Sequence, residues 1–255
     1  VYMSKVFTFT KGFETCINAK ESVKGGTGYF YPDGGEPLLK EIEHIYPDYS
    51  LYNIQDTAYG FLTRGCPRGC PFCIVADKEG FKSHKVADLS EFWRGQKYIE
   101  IMDPNTLASK ERIELLQQII DSKAKINFNQ GLDIRFMSED IIPYFQKMKE
   151  QKQIKILHFA WDRLDQSELI IKNLEKFKKE VNIADRNQRV YVLVNYETTM
   201  EENLYRIYKL KELGYDPYVM VYEKWKAPKE IKKLQRWVNN KFIFRVCEKF
   251  EDYQK

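Results

Sequence analysis

The sequence predicts an α/β fold built on a parallel sheet, and three observations carry that prediction. From residue 58 onward, short apolar strand-like runs alternate with longer segments of helical period. Helix-start signals recur between the runs, as where Glu202 follows Thr199 at capping-box spacing. The strand–helix units number six, two short of a closed eight-stranded barrel. Repeated βα units need crossover connections, which make neighbouring strands parallel and give every crossover the same hand.

Residues 1–57 read as a small N-terminal α/β extension. Val1, Tyr2, Met3, Val6, Phe7 and Phe9 suit a buried strand. A glycine turn follows at Gly25, Gly26, Thr27 and Gly28, and a short helix is expected over Pro37 to Ile45. Leu38, Leu39, Ile42 and Ile45 share one face of that helix. Strand, glycine turn and helix together resemble the end of a Rossmann-like nucleotide-binding unit. The apolar run begins at the first residue, so this extension is expected to continue a longer module. A lone glycine-rich turn is most often only a turn.

Six strands are then expected: Ala58–Leu62, Tyr98–Met102, Lys125–Phe128, Lys155–Ala160, Val190–Val194 and Tyr218–Tyr222. Leu115, Ile119 and Ile120 mark the first long helix, and Ile141, Ile142, Phe145 and Met148 the next, behind a Ser138 cap. Asp165 with Glu168 forms a second capping-box pattern, opening a helix that carries Ile170, Ile171, Leu174 and Phe177. Thr199 opens a helix with Leu204, Ile207, Tyr208 and Leu213, closed by Gly214. Pro228 suits the first turn of a helix carrying Ile231, Leu234, Trp237 and Val238. Residues 247–255 read as a mixed aromatic and charged tail helix.

At 255 residues and 43% hydrophobic, the chain suffices for one large domain with a real core. Lysine and arginine exceed the acids by only four charges. That balance leaves RNA open, whereas a strong nucleic-acid footprint would be more basic or concentrated in a stripe. No apolar run reaches the ~18 residues of a membrane-spanning helix.

The sharpest signal is the loop Thr63–Cys73, TRGCPRGCPFC. Cys66, Cys70 and Cys73 stand at C-x3-C-x2-C spacing. Thiolates hold iron–sulfur clusters, and a short turning loop can aim three of them at three corners of one cube. Gly65 and Gly69 let the backbone bend, Pro67 and Pro71 stiffen the turns, and Arg64 and Arg68 offset negative charge. A fourth local cysteine is missing, which leaves one iron of a four-iron cluster open to a small ligand. Zinc with His84 as fourth ligand is the competing reading, but structural zinc usually takes paired cysteine knuckles. A disulfide framework suits neither an odd cysteine count nor a chain this long. Cys16 and Cys247 are isolated and read as buried thiols.

This loop resembles the signature of the radical S-adenosylmethionine (SAM) superfamily. The resemblance runs from the first strand of the alternation to the last helix. It implies a partial (βα)6, TIM-like barrel over residues 58–246, with ligands at the C-terminal ends of its strands. It implies a [4Fe-4S] cluster on Cys66, Cys70 and Cys73, and SAM chelated at the open iron. Reductive cleavage of SAM would then give a 5′-deoxyadenosyl radical that abstracts hydrogen from a substrate, small or macromolecular. A flavodoxin- or ferredoxin-type electron donor and a cytoplasmic setting follow from the same likeness, with no membrane partner. The cysteine usage agrees with a reducing compartment.

Further candidates lie at the expected strand ends. Phe72 occupies the position where the family often has an aromatic beside adenine. Asp103-Pro104-Asn105 ends the second strand and departs from the family's usual Gly-Gly-Glu-like stretch. Asp103 and Asn105 remain candidates for the SAM ammonium group. In NQGLDIR, Gln130, Asp133 and Arg135 are candidates for ribose hydroxyls or the SAM carboxylate, which suits arginine's planar fork. Asp162 follows the fourth strand, whose His158 reads as a core residue. Asn195, Tyr196, Glu197, Tyr222 and Glu223 line the expected mouth. Cobalamin is unsupported, because the Asp-x-His-x-x-Gly pattern is absent. The alternatives are a non-catalytic iron–sulfur or zinc protein that binds RNA or a protein, and, less favoured, a tRNA methylthiotransferase-like enzyme.

Overall fold

A computed structural model describes residues 1–11 and 18–254. Its extension carries β1 (Tyr2–Ser4), β2 (Val23–Gly25) and α1 (Lys40–Glu43). β3 (Thr57–Gly60) leads into the cysteine loop, which holds β4 (Thr63–Arg64), α2 (Val75–Glu79) and β5 (His84–Lys85). The alternation follows: β6 (Tyr98–Ile101), α3 (Arg112–Ser122), β7 (Lys125–Phe128), α4 (Ile142–Glu150), β8 (Ile154–Ala160) and α5 (Ser167–Val181). It ends with β9 (Gln188–Val194), α6 (Met200–Glu212), β10 (Asp216–Val221), α7 (Lys229–Asn239) and α8 (Lys241–Val246).

Strands β3, β6, β7, β8, β9 and β10 form one open parallel sheet in sequence order. All six expected strands are present, with ends shifted by at most two residues. The sheet is asymmetric. Val190, Val192 and Val194 of β9 and Leu157 and Phe159 of β8 are buried with the helices' apolar stripes. The other face carries His158, stacked on Tyr191 with ring centroids 5.0 Å apart, and Tyr191 meets Tyr218 edge-on. Tyr49 covers the open edge of β3: its hydroxyl donates to the Tyr59 carbonyl and accepts from the Tyr59 amide.

The termini depart from expectation. The first strand is only three residues long, and Val1, Tyr2, Phe7 and Phe9 are exposed. Among the described residues, β1 and β2 pair only with each other, in a parallel two-stranded sheet. The short helix is a single turn, and Leu38, Leu39, Ile42 and Ile45 are likewise exposed. The tail is not helical beyond Val246; Phe250 and Tyr253 are buried, and Phe250 lies against Trp237. Asp165 does not cap α5, because its carboxylate is engaged by Arg163 at 3.1 Å. The Thr199–Glu202 capping box does form, as does the left-handed turn at Gly214. Cys16 lies outside the described residues. Among those residues, no helix is long and apolar enough to cross a membrane.

Candidate functional site

The cysteine loop folds over the C-terminal ends of the sheet strands. Gly65 and Gly69 both adopt positive φ, at 78° and 53°. A Cβ on Gly65 would lie 2.2 Å from the Lys82 carbonyl oxygen, so only glycine fits there. The Gly65 amide donates to Glu79, and the Cys66 amide to the Gly80 carbonyl. Cys73 closes a tight turn by donating to the Cys70 carbonyl at 2.9 Å.

Asp103, buried at the end of β6, anchors the root of this loop. One of its oxygens accepts the Leu62 amide at 2.7 Å. The other accepts the Thr63 amide and hydroxyl and the Thr106 hydroxyl. Asp103 therefore faces the backbone ahead of the cysteines and does not line the cavity below them. Four donors hold a carboxylate more firmly than a turn requires. Its role here is positioning rather than ligand contact.

The cavity has a volume of about 360 Å³. Cys66, Cys70 and Cys73 all line it, with Phe72 between the last two. So do Asn105, Gln130, Asp133, Arg135 and Asp162, which come from the ends of β6, β7 and β8. Of the residues singled out in the sequence, Asp103 alone among the ligand candidates is turned elsewhere. Burial pushes the Cys70 and Cys73 thiols up; Arg68 partly opposes this at Cys70.

A polar network joins the loop to the strand ends. Asn105 is almost fully buried, and its amide nitrogen lies 3.5 Å from the Cys66 sulfur and 3.4 Å from Asp133 Oδ2. Its Oδ1 is buried without a hydrogen-bond partner. Arg135 grips Asp133 with two prongs, at 2.6 and 2.8 Å. Arg68 approaches Asp133 to 3.7 Å and donates to Gln166, which also accepts from Arg135. Arg64, expected to offset cluster charge, is instead paired with Glu79 at 2.8 Å and lies over the Phe61 ring. Burial raises the Asp133 carboxyl, to about 6, against Arg68 and the Asn105 amide. Burial likewise raises Asp162 to about 6, against Arg206.

A smaller cavity, about 160 Å³, adjoins at Asp162 and is lined by Tyr196, Glu197 and Thr198 among others. Tyr196 meets Phe72 edge-on at 5.2 Å and Tyr222 at 4.9 Å. Asn195, Glu197 and Glu223 all have positive φ.

Sequence reasoning missed Gln166 and Arg206. Arg206 is fully buried and donates to the Trp161, Asp162 and Leu193 carbonyls, clamping the ends of β8 and β9. The signal was available: Arg206 shares the i, i+3, i+4, i+7 stripe with Asn203, Ile207 and Leu210. Gln166 carried no such signal, since its partners lie 31 and 98 residues away.

The donor set can be weighed against the group the loop resembles. Three thiols facing one cavity suit a cluster in which each thiolate takes a separate iron. Among the described residues, no three His, Cys, Asp or Glu side chains converge on a single ion. His84, the candidate fourth zinc ligand, is exposed and faces the Lys82 carbonyl at 3.0 Å. The unpartnered Asn105 oxygen calls for a donor from a ligand in the cavity. The three thiols and the unpartnered Asn105 oxygen thus face one cavity in which a bound group can meet them. In comparisons with known proteins, no family model and no curated sequence matches this chain.

Proposed function

We propose that this chain is a radical SAM enzyme of a partial-barrel type. One observation carries the reading: three thiols at C-x3-C-x2-C spacing share a cavity with an unpartnered amide oxygen, three carboxylates and three guanidinium groups. Cys66, Cys70 and Cys73 would hold a [4Fe-4S] cluster through three of its irons. The bound cluster and SAM supply a one-electron reductive cleavage that yields a 5′-deoxyadenosyl radical for hydrogen abstraction. Asn105 Oδ1 accepts a hydrogen bond from the ligand's ammonium group. Arg68, which only approaches Asp133, would face the ligand's carboxylate, while Arg135, held by Asp133 and Gln166, fixes the Asp133 carboxylate beside it. Phe72 would lie beside the adenine, with Tyr196 packed edge-on against it. Asp162, shared by both cavities, faces the substrate side. A flavodoxin- or ferredoxin-type donor and a cytoplasmic setting belong to the same reading.

The partial barrel is supported by the strand order and by the contact between Phe72 and Tyr196. Those residues follow the first and fifth strands, whose ends stand roughly 19 Å apart in a flat sheet. Curling of the sheet shortens that separation.

Anaerobic reconstitution tests the proposal. The expected result is about four irons per chain and dithionite-dependent release of 5′-deoxyadenosine, both lost in Cys70→Ala. One zinc per chain with SAM left intact would overturn it in favour of a non-catalytic metal protein.

A further inference from the structure

The chain's charge is unevenly distributed. Between Lys224 and Lys249, nine lysines and arginines face only two glutamates, a local excess of seven in a chain of net +4. The rest of the molecule is therefore slightly acidic, and the modest total hides a concentrated stripe.

The fold gathers four of these cations on one surface. Lys229, Lys232, Lys233 and Arg236 fall at i, i+3, i+4 and i+7 of α7 and, with Glu230, line a shallow groove of about 450 Å³, while Lys226 and Lys241 are paired with Glu223 and Asp216. They span roughly 10 Å along the helix. The opposite stripe, Ile231, Leu234, Trp237 and Val238, is buried in the core. Some lysines on other helices are paired, Lys176 with Glu139, Lys178 with Asp185 and Lys209 with Glu212, whereas the α7 cations stand together on one face. Among the described residues, none of the four α7 cations pairs with a carboxylate; Lys233 lies over the Phe250 and Tyr253 rings. Two aromatics flank α7 in the chain, Trp225 before it (68% exposed, its ring tilted against Phe9 at 6.3 Å) and Phe242 after it (83% exposed).

Unpaired cations at regular spacing attract a chain of phosphates. Exposed aromatic faces beside them add stacking for unpaired bases. A membrane surface fits less well, because the apolar stripe of α7 is already buried in protein. We propose that α7 and its flanking aromatics bind single-stranded nucleic acid. The surface is independent of the cysteine loop, so its test does not require a cluster.

The experiment uses the full chain, metal-free, with fluorescein-labelled 12-nucleotide single-stranded RNA and DNA, an RNA duplex, and vesicles rich in phosphatidylserine. Single strands are expected to bind, with log affinity falling against log salt at a slope of about −3, as four phosphate contacts require. The double variant Lys229→Glu, Lys232→Glu changes only exposed side chains and should weaken binding at least tenfold. Trp225→Ala should weaken it about fivefold or more, with little change in salt slope. RNA and DNA arms decide the sugar. Equal binding by the charge-reversed variant, a preference for duplex, or binding to vesicles alone would each overturn the proposal. Failure here leaves the iron and deoxyadenosine assays untouched.

Discussion

The two ends of the six-stranded sheet both contain residues forced into left-handed backbone, for different reasons. At the N-terminal ends of the strands these are Lys123, Lys152 and Asn182. Lys123 and Asn182 are the C-caps of α3 and α5, and Lys152 stands just past α4. Each one ends a helix, the commonest use of that conformation. At the C-terminal ends the residues are Asn195, Glu197 and Glu223, which end no helix. They shape the loops around Tyr196 and Tyr222 beside the cysteine cavity. The buried polar groups divide less sharply. Gln153 donates to the Ile119 and Ala124 carbonyls and simply closes the bottom of the sheet. Asn105, Asp133 and Asp162 face a cavity. Unpartnered buried oxygens stand at both ends, Gln153 Oε1 and Gln188 Oε1 at one and Asn105 Oδ1 at the other, so what sets the cavity end apart is left-handed backbone that ends no helix.

The largest expected effect separates the clamp from the closure. Arg206→Met strips donors from three buried carbonyls and should cost about 3 kcal/mol or more in urea unfolding. Gln153→Ala orphans two carbonyls at the other end and should cost about 1–3 kcal/mol, with iron loading unchanged. A Gln153 variant that lost iron would break the division between the two ends.

An intermediate effect is set by pH. Burial holds the Asp162 carboxyl at about 6, above the ordinary value it takes in the unfolded chain. Between about pH 4 and 6, the folded state keeps a proton that the unfolded state releases. Raising the pH through this window therefore lowers stability, with no further change above it. Wild type should lose stability relative to Asp162→Asn across the window. Parallel pH profiles for the two proteins would remove Asp162 from the strained end.

The smallest effect sharpens the comparison most. Lys123→Gly and Glu197→Gly each relieve left-handed strain at a non-glycine residue and should stabilise by up to about 1 kcal/mol. Lys123→Gly should leave the proposed SAM cleavage intact. Glu197→Gly should reduce it, because the loop beside Tyr196 loses its fixed shape. Equal activities would show that strain at the two ends has the same meaning.

Much of this architecture was legible in the sequence. The six strands lie where the apolar runs stand, because alternating burial is a local property written into consecutive residues. The cysteine spacing and its glycines were legible for the same reason. The extension was not: its apolar residues have the right period, yet most of them stay exposed, with only local contacts such as Phe7 on Phe9 and Phe9 on Trp225. Asp103 and Asn105 sit two apart at one strand end, but one faces the loop backbone and the other the cavity. The basic stripe was hidden by averaging, since acids elsewhere cancel it in the total.

The sequence by itself determined the order of strands and helices and the three-thiol loop, because hydrophobic period and ligand spacing are carried by near neighbours in the chain. Only the tertiary structure decided which polar side chains meet. Arg68 finds Gln166, and Arg206 finds the Trp161 carbonyl, across 98 and 45 residues. Such partners are chosen by packing at a distance, and no local pattern encodes them.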